Sequence, residues 1–301
     1  MTDFNARTFV DTDLQQSLTY CYRITFTHLD DCDRTTIYES PFSNTICPEP
    51  CSPPHVLVSG NKAALSSGPI QTYDFSTGAL LNSFIPDGAA GLDGRAIAVQ
   101  GGEIFYTEIV RSDNTTDSIH VCPYGTQGSG GHDSRTPLPN PRPDVGIAGL
   151  SFHGGNLYVL TGYSAFNPPL QVYKLNPTTG NVIGGPITIA SPPAFASADG
   201  FVVLPSGNFL INEGDGEPVY HEFDAATGNL VTGGLQVDVG TFGFAFSTGV
   251  ALAPDSQSLY FVSAVSLGAP QTLIQTDLSG NLLSLQPIGS DVIEEIAVVA
   301  P

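Results

Sequence analysis

From Pro54 onward, short runs of alternating apolar and polar residues are broken at regular intervals by Gly and Pro, with no sustained 3.6-residue apolar period. Alternate side chains of a strand point to opposite faces, so this pattern predicts strands and tight turns with almost no helix. Two strand-turn-strand phrases recur. One reads YDFSTGALL at 73–81, YKLNPTTGNVI at 173–183, HEFDAATGNLV at 221–231 and TDLSGNLL at 276–283. The other precedes it: GLDGRAIAVQGGEIFYTE (91–108), GIAGLSFHGGNLYVLTG (146–162), SADGFVVLPSGNFLINEG (197–214) and FSTGVALAPDSQSLYFVSA (246–264).

The glycine of the first phrase stands at 78, 180, 228 and 280, at intervals of 102, 48 and 52 residues, so the period is near 50. Residues 118–131, SIHVCPYGTQGSGG, fill the missing slot in degenerate form. In each copy the glycine is expected to supply the positive φ of a hairpin turn. Asp74, Asn176, Asp224 and Asp277, which precede it, are expected to accept hydrogen bonds from the turn's amides. These recurring residues therefore read as scaffold.

Four short antiparallel strands per repeat of about 50 residues are the mark of a β-propeller blade. The chain ends VIEEIAVVAP (292–301), a first strand without a second, and PHVLVSG (54–60) is a second strand without a first. Joining them completes a blade and closes a ring. The expected fold class is all-β: a five-bladed β-propeller with terminal strand closure over 54–301, plus a small N-terminal β-ribbon. Its blades would be 292–301 with 54–86, then 91–139, 145–189, 197–239 and 246–288. The D-x-x-T-G turn resembles the repeats of the quinoprotein-like and lactonase-like propeller superfamilies. That resemblance implies a repeat and not an activity, because propellers host many. With no tryptophan in the chain, a pyrroloquinoline site of the quinoprotein type is not expected.

The first 47 residues differ. LQQSLTYCYRITF (14–26) alternates like a half-buried strand, and Leu14, Tyr20, Arg23 and Ile24, with ESPFSNTIC (39–47), resemble the late strands of a fibronectin type III domain. The resemblance implies a sandwich whose earlier strands are missing. The chain would then be a fragment, or the ribbon would dock on the next domain, or another chain would supply the strands. Residues 48–53 form a Pro/Cys-rich linker. Cys21, Cys32, Cys47 and Cys51 cluster here and read as disulfide candidates in an oxidising compartment, leaving Cys122 as the odd thiol. Zinc is the rival reading, although the spacings lack the paired C-x2-C form.

Composition narrows the partners. Twenty-nine acidic residues against nine basic ones give a formal charge of −20, which repels phosphate backbones and anionic lipid, so no nucleic acid is expected. No run of 18 apolar residues predicts membrane insertion, and no signal peptide is visible at the start.

No G-x-S-x-G, H-E-x-x-H, G-x-x-x-x-G-K-[ST] or C-x-x-C-H motif occurs, and the six histidines show no ligand spacing. Stacking the inner strands aligns Asp93, Ala148, Asp199, Thr248 and Glu294, followed by Gly94, Gly149, Gly200, Gly249 and Glu295. Near one mouth of the channel, Asp93, Asp199 and Glu294 would offer hard oxygen ligands suited to Ca²⁺, with the Thr248 hydroxyl beside them. Capping of strand ends is the competing reading. Phe195 and Phe244 are candidate platform residues for an apolar ligand or sugar face, the competing reading being core. Glu213, Asp215 and Glu217 form an acidic turn on the same face, and His153 ends an inner strand.

The function expected is a binding or structural module of a larger secreted or surface protein, taking a protein or carbohydrate ligand. The alternatives are a metal-assisted hydrolase or lyase at the channel, with the three carboxylates as ligands, and a self-assembling subunit that completes its sandwich with a neighbour.

Overall fold

A computed structural model describes residues 27–29, 37–39, 56–62, 67–74, 77–84, 96–107, 118–124, 134–163, 169–190, 198, 200–214, 216–266, 269–289 and 292–299; within these, the side chains of 56–62, 67, 68, 163, 292 and 294 fall outside the description. The chain divides into two compact units, Met1–Pro54 and His55–Ala300. In the first, β1 (Thr27–Leu29) pairs antiparallel with β2 (Ile37–Glu39). The fibronectin-like positions Leu14, Tyr20, Arg23 and Ile24 and the cysteines Cys21, Cys32, Cys47 and Cys51 lie outside the described residues.

The second unit is all-β, and its described residues contain one helical turn, at Val239–Phe242. Five four-stranded antiparallel sheets make it up, four of them unbroken meanders. The first joins β6 (Ile97–Gln100), β7 (Glu103–Thr107), β8 (Ser118–Pro123) and β9 (Leu138–Pro139). The next joins β10 (Gly146–His153), β11 (Asn156–Tyr163), β12 (Gln171–Leu175) and β13 (Val182–Thr188). A third runs through β14 (Phe201–Val203), β15 (Phe209–Asn212), β16 (Val219–Phe223) and β17 (Gln236–Asp238). The fourth runs through β18 (Phe246–Leu252), β19 (Ser258–Ala264), β20 (Gln271–Asp277) and β21 (Leu282–Gly289). The remaining sheet is composite: β22 (Val292–Val299) pairs with β3 (Val56–Lys62), which continues into β4 (Ser67–Asp74) and β5 (Leu80–Phe84). Its register sets Ala297 opposite Val58 and Val299 opposite Val56.

The first strand of each sheet lies beside the first strand of the next. β6 adjoins β10, β10 adjoins β14, β14 adjoins β18, β18 adjoins β22, and β22 returns to β6. This is the arrangement of a β-propeller.

Period-two alternation explains how a sheet can serve two neighbours. In β14, Phe201 and Val203 enter the cluster shared with Leu160, Val172 and Ile189 of the preceding sheet, while Val202 packs with Val250, Leu259 and Phe261 of the following one. In β19, Leu259 and Phe261 face one side and Tyr260 and Val262 the other. Five such clusters fill the five spaces between neighbouring sheets. With both faces buried, the inner strands read as almost continuously apolar, and each fully buried Phe contributes about 1.5–3 kcal/mol relative to exposure.

Candidate functional site at the central channel

Three inner strands begin with the same irregularity. The ladder passes from Ile147–Thr161 to Gly149–Leu160, from Ser247–Ser263 to Gly249–Val262, and from Ile293–Asn61 to Glu295–Gly60. Each step skips one residue: Ala148, Thr248 and Glu294. These are positions that the sequence repeat aligned, and in the structure they are the extra residues of β-bulges, which leave the ladder and bend the strand.

In two of these strands the residue after the bulge is a glycine against which the neighbouring sheet packs: a Cβ on Gly149 would lie 2.5 Å from Phe201 Cβ, and one on Gly249 would lie 2.9 Å from Glu295 Cα. Gly200, at the aligned place before β14, is crowded from within its own sheet, where a Cβ would lie 2.7 Å from the Tyr220 ring. In the first meander the strand pairing, counted from the Gly101–Gly102 turn, puts Ala96 at this position. The glycine-based alignment had put Gly94 there.

In β22 the same position is Glu295, whose side chain is 0% exposed. Its Oε1 accepts from Val250 N at 3.0 Å and from Ile296 N at 3.3 Å, which ties β22 to β18. Two further bonds lace this seam: Thr248 Oγ1 donates to Ile293 O at 2.5 Å, and Ile293 N donates to Gln271 Oε1 at 2.9 Å. Elsewhere in the ring, Ser151 Oγ accepts from Val203 N at 3.0 Å, and the Tyr220 and Ser247 hydroxyls meet at 2.8 Å. A buried backbone amide without a partner costs about as much as a lost hydrogen bond, so Glu295, Gln271 and Ser151, which accept from Val250, Ile293 and Val203 N, hold the seams together.

All five inner strands line a central cavity of about 90 Å³. Its lining side chains are mostly apolar, with Ile97, Leu150, Phe201, Val250 and Ile296 at equivalent places, but polar and apolar atoms share its surface about equally. The volume suits a few waters and falls well short of the roughly 300–1,000 Å³ of pockets that enclose small organic ligands.

The anticipated carboxylate cluster stands in the following way. Asp93 and Asp199 lie outside the described residues, as does the Glu294 side chain. Thr248 is described, and its hydroxyl is engaged at the β18–β22 seam. Among the described residues, no three His, Cys, Asp or Glu side chains gather as a metal site. Phe195 lies outside the description, whereas Phe244 is 8% exposed and sits in the core with Val202, Val239 and Phe261. His153 ends β10 at the hairpin opposite Asn156, edge-on to Tyr158, and does not line the cavity. Cys122 is fully buried in β8 among Ile97, Ile104 and Tyr106.

Two features escaped the sequence reading. One is the Glu295 tie. The other is a pair in the third meander: His221 Nε2 lies 2.6 Å from Glu213 Oε1, because the β15–β16 register sets Asn212 opposite Tyr220 and brings the next residues outward together. The acidic turn signalled Glu213 alone.

The recurring TG turns are built as their chemistry implies. Gly78, Gly180, Gly228 and Gly280 have φ of 68°, 71°, 72° and 82°. Asp224 Oδ1 accepts from Ala226 N, Thr227 N and Thr227 Oγ1, and Asp277 Oδ1 accepts from Ser279 N and Asn281 N. The Thr227 side chain foremost holds the Asp224 carboxyl below its usual range, and the Asn281 side chain does the same for Asp277. Each turn also docks on the outer strand of the preceding sheet. A Cβ on Gly228 would lie 2.0 Å from Thr188 O, one on Gly78 would lie 2.2 Å from Pro287 O, and one on Gly180 would lie 2.8 Å from Pro139.

No protein-family model matches the sequence, and no curated protein is significantly similar to it. Among solved structures, a protein of unknown function from Bacteroides caccae aligns over 82% of this chain and 100% of its own, with 13% identity and a TM-score of 0.50, a likeness of fold alone. TolB from Acinetobacter baumannii aligns over 83% of this chain and 67% of its own, with 14% identity and a TM-score of 0.48.

Proposed function

We propose that the five sheets are the blades of a closed five-bladed propeller, preceded by a partial fibronectin type III-like ribbon, and that the chain is an interaction module of a larger secreted or surface protein. One observation carries this reading: Ser151, Thr248 and Glu295 of the inner strands, with Gln271 of β20 beside them, are hydrogen-bonded to the backbone of neighbouring sheets. Side chains spent on closing seams are not poised to attack or protonate a substrate. The ring is a rigid support, and recognition falls to its loops and rim, where a protein or carbohydrate ligand is captured without being changed. Calcium at Asp199 and Glu294 would serve to order the mouth; the register that puts Ala96 in place of Gly94 moves Asp93 two residues off their shared position.

The test is a panel of lactone and glycoside substrates assayed with the full chain, alongside calorimetric titration with Ca²⁺. No turnover is expected, and Ca²⁺ binding is expected to disappear in Asp199→Ala. Saturable turnover that is abolished by Asp199→Ala would replace the module with a hydrolase.

A further inference from the structure

Among the described residues, exposed large apolar side chains concentrate in one kind of place. Apart from Val265, every exposed large hydrophobic among the described residues follows one of the four TG turns, on or beside an outer strand. Exposed apolar residues scattered singly need no explanation, but a set repeated at one structural position does.

β21 carries three of them: Leu282, Leu283 and Leu285 are 42%, 54% and 46% exposed. On one side β21 pairs with β20 along its length; on the other it has no strand partner among the described residues. Its later half meets the Gly78 turn of the next sheet, through Gln286 and Pro287, which leaves Leu282–Leu285 open. An open edge normally carries a lysine, an inward charge or a proline as protection. Residues 282–285 are LLSL and carry none, and the strand's only proline, Pro287, lies beyond them.

The charge of the surroundings selects the occupant. The chain carries −20 overall, and Asp277, partly exposed in the turn before the edge, stays ionised well below neutral pH. A second copy would bring the same charge to the same place. A cationic segment is attracted and steered there.

We propose that the Leu282–Leu285 edge of β21 is a strand-addition site for an extended segment of a partner protein that alternates apolar side chains with Lys or Arg. Backbone hydrogen bonds continue the sheet beyond β21. The partner's apolar side chains cover the leucines, and its cations face Asp277 and the net negative charge of the molecule. This deepens the interaction-module reading and rests on it.

The experiment titrates the full chain with a labelled synthetic peptide of alternating leucine and lysine, beside a serine–lysine peptide of equal charge, and repeats both with Leu283→Ser/Leu285→Ser. Both leucines are exposed, so the double variant is expected to melt as wild type does. The leucine–lysine peptide is expected to bind at least tenfold more tightly than the serine–lysine one, and to lose at least tenfold in the double variant. Equal binding of the two peptides would reduce the effect to bulk charge attraction and overturn the proposal. So would no binding at all, or binding unchanged in the double variant. Sedimentation showing a wild-type dimer that the double variant converts to monomer would assign the edge to a second copy and overturn it too. A failed peptide titration with no substrate turnover leaves the module reading standing, whereas turnover removes that reading whatever the peptide does.

Discussion

Replacing Gly228 by alanine separates two demands that the TG turn makes on its glycine. The first is conformational: at φ 72° an L residue costs roughly 1–2 kcal/mol. The second is steric, since the new Cβ would lie 2.0 Å from the Thr188 carbonyl oxygen and 2.8 Å from its carbon. That neighbour is backbone, so the turn and the outer strand must separate, at about 1–3 kcal/mol. The same shift threatens the bond from Ala190 N to Gly228 O. Lower entropy of the unfolded chain returns about 0.4–1 kcal/mol. The net loss is about 1–5 kcal/mol, or roughly 2–18 °C in melting temperature for a unit of this size. Gly207 is the control, at φ 89° with nothing within 4 Å of its Cβ, and Gly207→Ala should cost only about 0.5–1 kcal/mol. Thermal and urea unfolding of both variants measure the difference. If Gly228→Ala is no more destabilising than Gly207→Ala, the turn does not dock on the preceding sheet and the packing of repeat on repeat is misread.

Two further outcomes are expected. Glu295→Ala strips Val250 N of its acceptor and should cost about 1–3 kcal/mol, whereas Glu295→Gln keeps an oxygen in place and should cost under about 1 kcal/mol; equal losses in urea unfolding would remove the β18–β22 tie. Because the folded-state pKa values of Asp224 and Asp277 are lowered, their stabilisation is present above the ordinary carboxylate range and is lost as pH falls through the lowered values. The melting-temperature gap between wild type and Asp224→Asn/Asp277→Asn should therefore narrow on acidification below about pH 4, and a gap independent of pH would refute the assignment.

Much of the architecture was legible because its signals are local. Turn chemistry at Gly78, Gly180, Gly228 and Gly280 needs only a few neighbouring residues, and the sheet boundaries fall within a few residues of the intervals read from the repeat. The shared position of Ala148, Thr248 and Glu294 was also legible, since it sits a fixed distance from each glycine or its replacement. What failed was long-range. The two extra residues between Gly94 and the Gly101 turn made a glycine-based alignment attractive, whereas strand pairing puts Ala96 opposite Thr107. Nothing near Glu295 announces that its partner is an amide 45 residues away in β18. Phe244 stands in an alternating aromatic run that suits a ligand platform or a core equally, and only the approach of Val202 and Val239 decides for the core. The carboxylates Asp93 and Asp199 lie outside the described residues, so the mouth rests on sequence alone.

The ring depends on β22, the last strand, pairing with β3, near the start of the same unit. Amide hydrogen exchange across Val292–Val299 tests this directly, because a terminal strand laddered to β3 on one side and tied to β18 on the other opens only with the unit as a whole. Closure predicts protection of these amides equal to that of β10 and β18. Exchange as fast as that of a frayed terminus, with β10 and β18 still protected, would contradict it.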